Sequence, residues 1–367
     1  MSLGELSTLL AWGATTAYAI AFVAFAMDLA RLADVRGVAA REGADARTDV
    51  AVPAGSVRAG SVRAGAVPAR AQVRAGAGAP VAAGRQRSSA GSSRDEASSA
   101  VPRMDAGPRR AVGIAMATAT LGLLFQAVSL VLRALASGRV PWANMYEFSL
   151  VGSFVAVATF LALTRRRDVR FLGTIVVGLA VVALGLGLTV FYVPADAVEP
   201  ALQSYWLVIH VSIATIATGL FTVSFAASAL QLLKDSRARQ RDGLVERPRL
   251  RLTGPRWRML DALPTPRELE ALSFRITAVG FVLWTFTVMA GAIWAEHAWG
   301  RYWGWDPKEV WSFVVWVVYA AYLHARTTVG WSGRRAAWFV LVGYATVLFN
   351  FTGVNLFFQG LHSYSGL

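Results

Sequence analysis

Cysteine is missing from all 367 residues. Disulfides, thiolate metal sites and thioether bonds to this chain are thereby excluded. Lysine is nearly absent, with Lys234 and Lys308 alone, and histidine is held to four residues. Any metal chemistry must use imidazole or carboxylate. Acidic residues are in deficit too, 22 against 36 basic, for a formal charge of +14. Such a balance, with a pI near 11.0, suits nucleic-acid binding, but the arginines gather in alternate loops between long apolar runs. There an excess of basic residues marks the cytoplasmic side of a membrane, and no nucleic-acid partner is expected. What the chain has in abundance is apolar surface: 55% of its residues are hydrophobic and the mean hydropathy is +0.47. It reads as an integral membrane protein.

A membrane helix needs ~20 consecutive, mainly apolar residues. Eight stretches qualify, near 6–27, 111–132, 147–164, 171–192, 206–232, 274–294, 310–328 and 336–358. The first lacks a basic n-region and is too long for a signal-peptide core, so it is expected to be a retained helix. Arg31–Arg110, the TRRRDVR turn at Thr164–Arg170, Lys234–Arg275 and Arg326–Arg335 are crowded with arginine. The N-terminus, Arg133–Tyr146, Val193–Tyr205, Ala295–Glu309 and the tail after Phe358 carry few basic residues. The positive-inside rule then sets both termini outside. The expected fold is an all-α polytopic membrane protein of about eight transmembrane helices with an external tryptophan-rich loop.

Three domains follow: a first transmembrane helix in 1–39, a linker in 40–108, and a seven-helix membrane domain in 109–367. The linker is built from Ala, Gly, Val, Arg and Ser, with a pentapeptide echo in GSVRA GSVRA GAVPA from Gly55 to Ala69. It offers too little large apolar surface to offset the entropy of folding, so a disordered basic cytoplasmic tether is expected. In the basic stretch before span six, Thr265 stands where a helix N-cap belongs.

The histidines are placed by the same topology. His210, in SYWLVIHVS, lies one turn inside the outer end of span five, and His362, in QGLHSYSG, follows the last span on the same side. Taken singly, each reads as a polar residue at a water interface. Taken together, on either side of a tryptophan-rich loop in the chain, they suggest two imidazoles approaching one metal from opposite faces, as bis-imidazole ligation of an iron porphyrin requires. His324 sits in span seven, ~21 Å from the outer face at 1.5 Å per residue. A histidine at that depth needs a ligand or a helix-to-helix hydrogen bond. His297, beside Glu296, reads as a solvated loop residue.

Six of the 13 tryptophans, Trp294, Trp299, Trp303, Trp305, Trp311 and Trp316, fall within 23 residues. An interfacial aromatic belt is spread over many helix ends, as Trp12, Trp142, Trp206 and Trp338 are. Concentration implies a ligand. A large planar molecule buries well against indole faces, and Arg301 and Lys308 could meet its carboxylates. Asp306 and Glu309 are expected to order the loop through Lys308, Arg301 and the next helix, which Pro307 opens.

The stretch WGRYWGWDPKEVW, Trp299–Trp311, closely resembles the tryptophan-rich WWD signature of haem-handling proteins of cytochrome c biogenesis. PWANMYEFS at 141–149 and LQSYWLVIHVS at 202–212 resemble the CcsA (ResC) branch of the System II pathway. The resemblance covers 111–367, with the WWD segment at 294–316. It implies haem b as bound cargo, held at an external site by axial His210 and His362, with Trp299, Trp303, Trp305, Trp311, Arg301, Asp306 and Lys308 around it. It also implies a second, membrane-embedded haem site at His324, where a CcsB (ResB) partner supplies the opposite ligand. Haem would pass from the cytoplasmic side to the external site and be presented to the CXXCH motif of apocytochrome c, the chain forming part of a holocytochrome c synthase in the plasma membrane. Thiol-reducing membrane or extracytoplasmic proteins are further partners of such a system. Three other readings remain open at the level of sequence: haem export without ligase activity, a quinone-binding redox subunit, and a secondary transporter, for which no inverted repeat is visible.

Overall fold

Long apolar runs become long helices because a backbone in lipid must satisfy its own hydrogen bonds. The computed structural model describes residues 1–49, 110–195, 204–245, 248 and 250–362. Eight long helices follow in order: α1 Leu3–Asp49, α2 Arg110–Ser137, α3 Met145–Thr164, α4 Gly173–Thr189, α5 Tyr205–Arg241, α6 Pro266–Trp299, α7 Pro307–Thr327 and α8 Arg334–Leu348. Past Leu348, α8 widens into a π-helical turn at Phe349–Gly353 and resumes at Val354–Phe357. No strand occurs among the described residues.

Among the described residues seven helices are long and apolar enough to cross a membrane, so the chain is a multi-pass, all-helical membrane protein. The sequence reading expected about eight. The missing one is α7: its 21 residues include Trp311, Trp316, Tyr319, Tyr322, His324 and Arg326, and such side chains score poorly on hydropathy although the length suffices for ~30 Å of bilayer. Met1–Glu42 and Pro108–Leu367 form one compact unit. The second unit, Gly43–Gly107, is described only through residue 49, as the end of α1. The linker expected at 40–108 therefore lies outside the described residues from residue 50 onward.

Helix starts are set by side chains that take orphaned N–H groups. Asn144 caps α3 and Ser204 caps α5. Thr265 and Glu268 form a reciprocal capping box with Pro266 at the first position, so the N-cap expected at Thr265 opens α6 itself. Asp306, Pro307 and Glu309 repeat the device at α7.

Buried polar groups pin the bundle. The Tyr18 hydroxyl donates to Gln126 Oε1 at 2.7 Å, and Gln126 Nε2 donates to the Leu150 carbonyl and the Ser153 hydroxyl, tying α1, α2 and α3 together. Between α5 and α6, the most extensive helix pair, Ser224 and Ser228 meet Ser273 and Thr277 through hydroxyl contacts of 2.5–3.1 Å. Small hydroxyl residues let helices approach closely where lipid gives no hydrophobic drive. Where α2 ends and α3 begins, Glu147 is fully buried between Arg133, 2.9 Å away, and Arg139, 2.6 Å away.

At the α5–α6 connection, Arg237 and Arg241 clamp Asp261. Partial burial would raise that carboxyl, but the two guanidinium groups outweigh it and hold Asp261 below the usual carboxylate range.

Candidate functional site

A cavity runs between α3, α5, α6, α7 and α8, with an empty volume of ≈ 1280 Å³ counted to its open mouth. Along α5 its wall extends from Leu207 to Thr218, three turns of helix. Toward the far end of its α5 wall it is lined by Ala214, Trp284, Val288 and Val347 together with Thr215 and Thr218, whereas His210, His362, Trp294, Trp303 and Lys308 line it nearer the tryptophan loop.

His210 is wedged into α6. Its Nδ1 lies 2.9 Å from the Thr287 carbonyl oxygen, and since a carbonyl can only accept, Nδ1 carries the proton and Nε2 keeps its lone pair. The ring lies nearly parallel to the Trp294 indole, 6.1 Å between centroids and 12° between planes. Gly291 makes room for it: a Cβ at that position would fall 2.6 Å from His210 Cε1. Alanine at 291 must therefore push the imidazole from its seat. Gly291→Ala is expected to weaken retention of a ligand on His210 by ~10–100-fold, the usual penalty for a lost supporting contact. Gly185→Ala, where nothing lies within 4 Å, leaves it unchanged; absorption titration of the two variants checks this.

His362 comes from the segment after α8, 152 residues along the chain from His210. Its Nδ1 donates to Asp306 Oδ2 at 2.7 Å. Trp294 and Trp299 meet the ring edge-on at 5.4 and 4.9 Å. The indole of Trp294, 2% exposed, is thus in contact with both imidazoles. Neither Nε2 makes a hydrogen bond among the described residues.

Asp306 holds this corner together. Its Oδ1 accepts from the Leu361 N–H at 2.6 Å and its Oδ2 from the Lys308 N–H at 3.0 Å. Burial alone would raise its pKa, but the hydrogen bond from His362, with these two N–H groups, keeps the carboxyl below the usual range and ionised. Glu309 Oε2 takes the N–H groups of Gly304 and Asp306 at 2.8 and 3.1 Å, closing the loop onto α7.

Lys308 reaches across to α8, donating to the Asn350 carbonyl at 2.7 Å and to Asn355 Oδ1 at 3.1 Å. The first acceptor lies in the π-helical turn, a distortion found often at functional sites. On the cavity wall Glu309 Oε1 and Asn350 Oδ1 are buried without a hydrogen-bond partner among the described residues. That is a cost a polar guest would relieve.

The remaining expected residues divide. Trp303 lines the cavity. Trp299 reaches it through His362, and Trp311 packs on Phe349 with centroids 4.2 Å apart, behind the wall. Arg301 is exposed and lies over Gly304, outside the lining. Trp305 is 76% exposed and is the sole non-glycine residue with positive φ (58°) among those described. A bulky side chain in that conformation is strained, as at many ligand clamps. His324 is exposed on α7, apart from the cavity, and its ring makes no hydrogen bond among the described residues. The helix-to-helix bond considered for it is not formed there. His297 is exposed and bonds the Ile293 carbonyl one turn back.

Several functional neighbours escaped the sequence reading. Thr287, Gly291, Asn350 and Asn355 carry no local signal, since each acts on a residue of another helix. Trp294 was visible in the cluster, but its place between the two histidines was not.

The model of the family described as Cytochrome C assembly protein matches residues 142–362. Cytochrome c biogenesis protein CcsA of Parasynechococcus marenigrum is 36% identical over 268 residues, covering 69% of this chain and 86% of that protein. The protein of that name from Mesostigma viride is 32% identical over 261 residues, 67% of this chain and 85% of its own length. Among solved structures, the cytochrome c haem lyase CcmF gives a TM-score of 0.49 at 17% identity, over 67% of this chain and 41% of that one, too slight a likeness to carry an argument.

Proposed function

The chain belongs to the cytochrome c assembly protein family, and from that premise we propose that its cavity holds haem for attachment to apocytochrome c. Its place in cytochrome c biogenesis follows from the family. The finer reading rests on one observation: two histidines, from α5 and from the segment after α8, reach one cavity with Nδ1 committed to an oxygen acceptor and Nε2 unclaimed. That is the state in which imidazole ligates iron, its second nitrogen fixed by an outer hydrogen bond.

In this proposal α7 also crosses the membrane, bringing the spans to eight, both termini lie outside the plasma membrane, residues 40–108 form the cytoplasmic linker, and the cavity opens to the extracytoplasmic face. His210 and His362 fill both axial positions of haem b and so limit its reaction with oxidants. Trp294, Trp299 and Trp303 cover its faces and edge. Lys308, on the cavity wall, is better placed for a propionate than the outlying Arg301, and Glu309 and Asn350 offer acceptors to protonated groups or water. His324, exposed at membrane depth, ligates haem at an inner site on the cytoplasmic half, with the opposite ligand from a CcsB (ResB) partner. An unpaired imidazole facing lipid would cost free energy that such a partner removes.

When apocytochrome arrives, each CXXCH thiol adds across a haem vinyl group: sulfur bonds one vinyl carbon, the thiol hydrogen goes to the other, and no redox equivalent is consumed. The chain contributes position rather than covalent chemistry. The test is a purified complex with the partner, loaded with haem and given a CXXCH peptide. Thioether formation, read from the shifted ferrous spectrum and from haem that survives acid extraction, is expected. Haem that binds but is never linked leaves the chain a haem exporter without ligase activity.

A further inference from the structure

We propose that the two axial histidines are unequal, with His362 as the anchor and His210 as the ligand that yields its place to the histidine of CXXCH. This rests on the reading of the cavity as a haem site.

The inequality lies in the acceptors behind the rings. His210 donates to a neutral backbone carbonyl, that of Thr287, at 2.9 Å. Within α6 that carbonyl is also the acceptor position for the N–H four residues on, so its lone pairs are shared. His362 donates to a carboxylate, Asp306, at 2.7 Å. The carboxylate is 3% exposed and is fixed by the Leu361 and Lys308 N–H groups. A charge-assisted bond to a buried anion pulls the Nδ1 proton away and makes Nε2 the stronger donor; a carbonyl does so far less. Iron is therefore held more tightly from the His362 side.

Geometry adds a second difference. The His210 ring is pressed against the α6 backbone at Gly291 and stacked on Trp294, so it cannot follow an iron that moves off its plane. His362 meets its tryptophans only by their edges. A small displacement of the haem toward His362 lengthens the bond to His210 and opens that face. The exchange is one nitrogen donor for another at iron, with no change in electron count.

The experiment uses the haem-loaded complex. Carbon monoxide added to the ferrous form takes one axial position, and its stretching frequency reports the ligand left opposite. Asp306→Asn, which keeps an N-cap side chain for α7, removes the charge behind His362 alone. The expected result is a shifted carbon monoxide band, together with at least a tenfold change in the ferrous-to-ferric ratio toward ferrous, about +59 mV for a one-electron couple. A shifted potential with an unmoved band means that His210 is the ligand retained, and overturns the proposal. No shift in either means that Asp306 does not tune His362, and overturns it equally.

A second measurement does not depend on the Asp306 variant folding. In His362→Gly an added imidazole can donate to Asp306, whereas 1-methylimidazole has no N–H to give. The preference for imidazole over 1-methylimidazole is expected to be larger, by tenfold or more, than in His210→Gly, where only the Thr287 carbonyl accepts; equal preferences overturn the assignment. A complex whose haem spectrum ignores both histidine variants is a different result, since it removes the haem-site reading itself.

Discussion

Replacing His210 and His362 together with glycine is expected to abolish the low-spin haem spectrum of the outer site, and millimolar imidazole is expected to restore it. Each substitution deletes an axial donor and leaves a hole of imidazole shape. The hole behind His362 is backed by Asp306 and the one behind His210 by Thr287, so free imidazole finds an acceptor in both. The surrounding indoles are untouched, with Trp294 still buried against α5 and the loop. Loss of a first ligand should exceed the ~10–100-fold cost typical of losing an outer-shell partner, so thioether formation is expected to fall by more than that range and to recover with the spectrum. Haem bound at the inner site through His324 is expected to persist, because His324 lies apart from the cavity. Identical spectra from wild type and the double variant would sink the two-histidine assignment.

Removing the Glu147 carboxylate is expected to cost the fold more than any other single polar deletion. Glu147 is wholly buried and accepts from Arg133 Nε at 2.9 Å, from Arg139 at 2.6 Å and from the Ala143 N–H at 2.8 Å, while its own N–H is taken by Asn144. Arg133 is 1% exposed, and its other hydrogen bonds among the described residues go to the neutral carbonyls of Val193 and Pro194. In Glu147→Ala that guanidinium loses its buried counter-charge. Breaking one side of such a pair typically costs ~3–5 kcal/mol, most of it the price of the charge left behind. The prediction is a lower, broader thermal transition of the detergent-solubilised protein. Pairing Glu147→Met with Arg133→Met is expected to recover most of the loss, since the fully buried guanidinium then leaves with the carboxylate and the remaining Arg139 is the more exposed of the two arginines. If the single variant melts with wild type, the triad is not what joins α2 to α3.

The helices were legible because each is a run of apolar residues of bilayer length. Their true ends were not: α1 runs on to Asp49 and α5 to Arg241, since good helix formers continue the backbone beyond the apolar stretch. The span expected at 310–328 is α7, read as a mainly apolar stretch of membrane length, although its tryptophans and tyrosines depress its hydropathy. At the site, His210, His362 and the tryptophan run were visible as types and order. The bond from His362 to Asp306, 56 residues apart, was not, because periodicity carries no information on which distant side chains share a corner. For the same reason Lys308 was expected to order its own loop, yet its ammonium group crosses to Asn350 and Asn355. Local chemistry at Asp306, Pro307 and Glu309 was read correctly as a helix start because capping is a local code.

The wide spacing of the two imidazoles along the chain bears on how the protein is made. His210 leaves the ribosome about 150 residues before His362, an interval of roughly 10–30 s at ordinary rates of synthesis. Gly291, Trp294 and Asp306 emerge between them, so the seat of each ring is built before the second ring exists. Until His362 emerges, the nascent chain carries only one of the two imidazoles that line the finished cavity. On the proposed reading of the cavity as a haem site, capture by the pair awaits translation through α8 and the segment beyond it, which ties loading to completion of the membrane bundle.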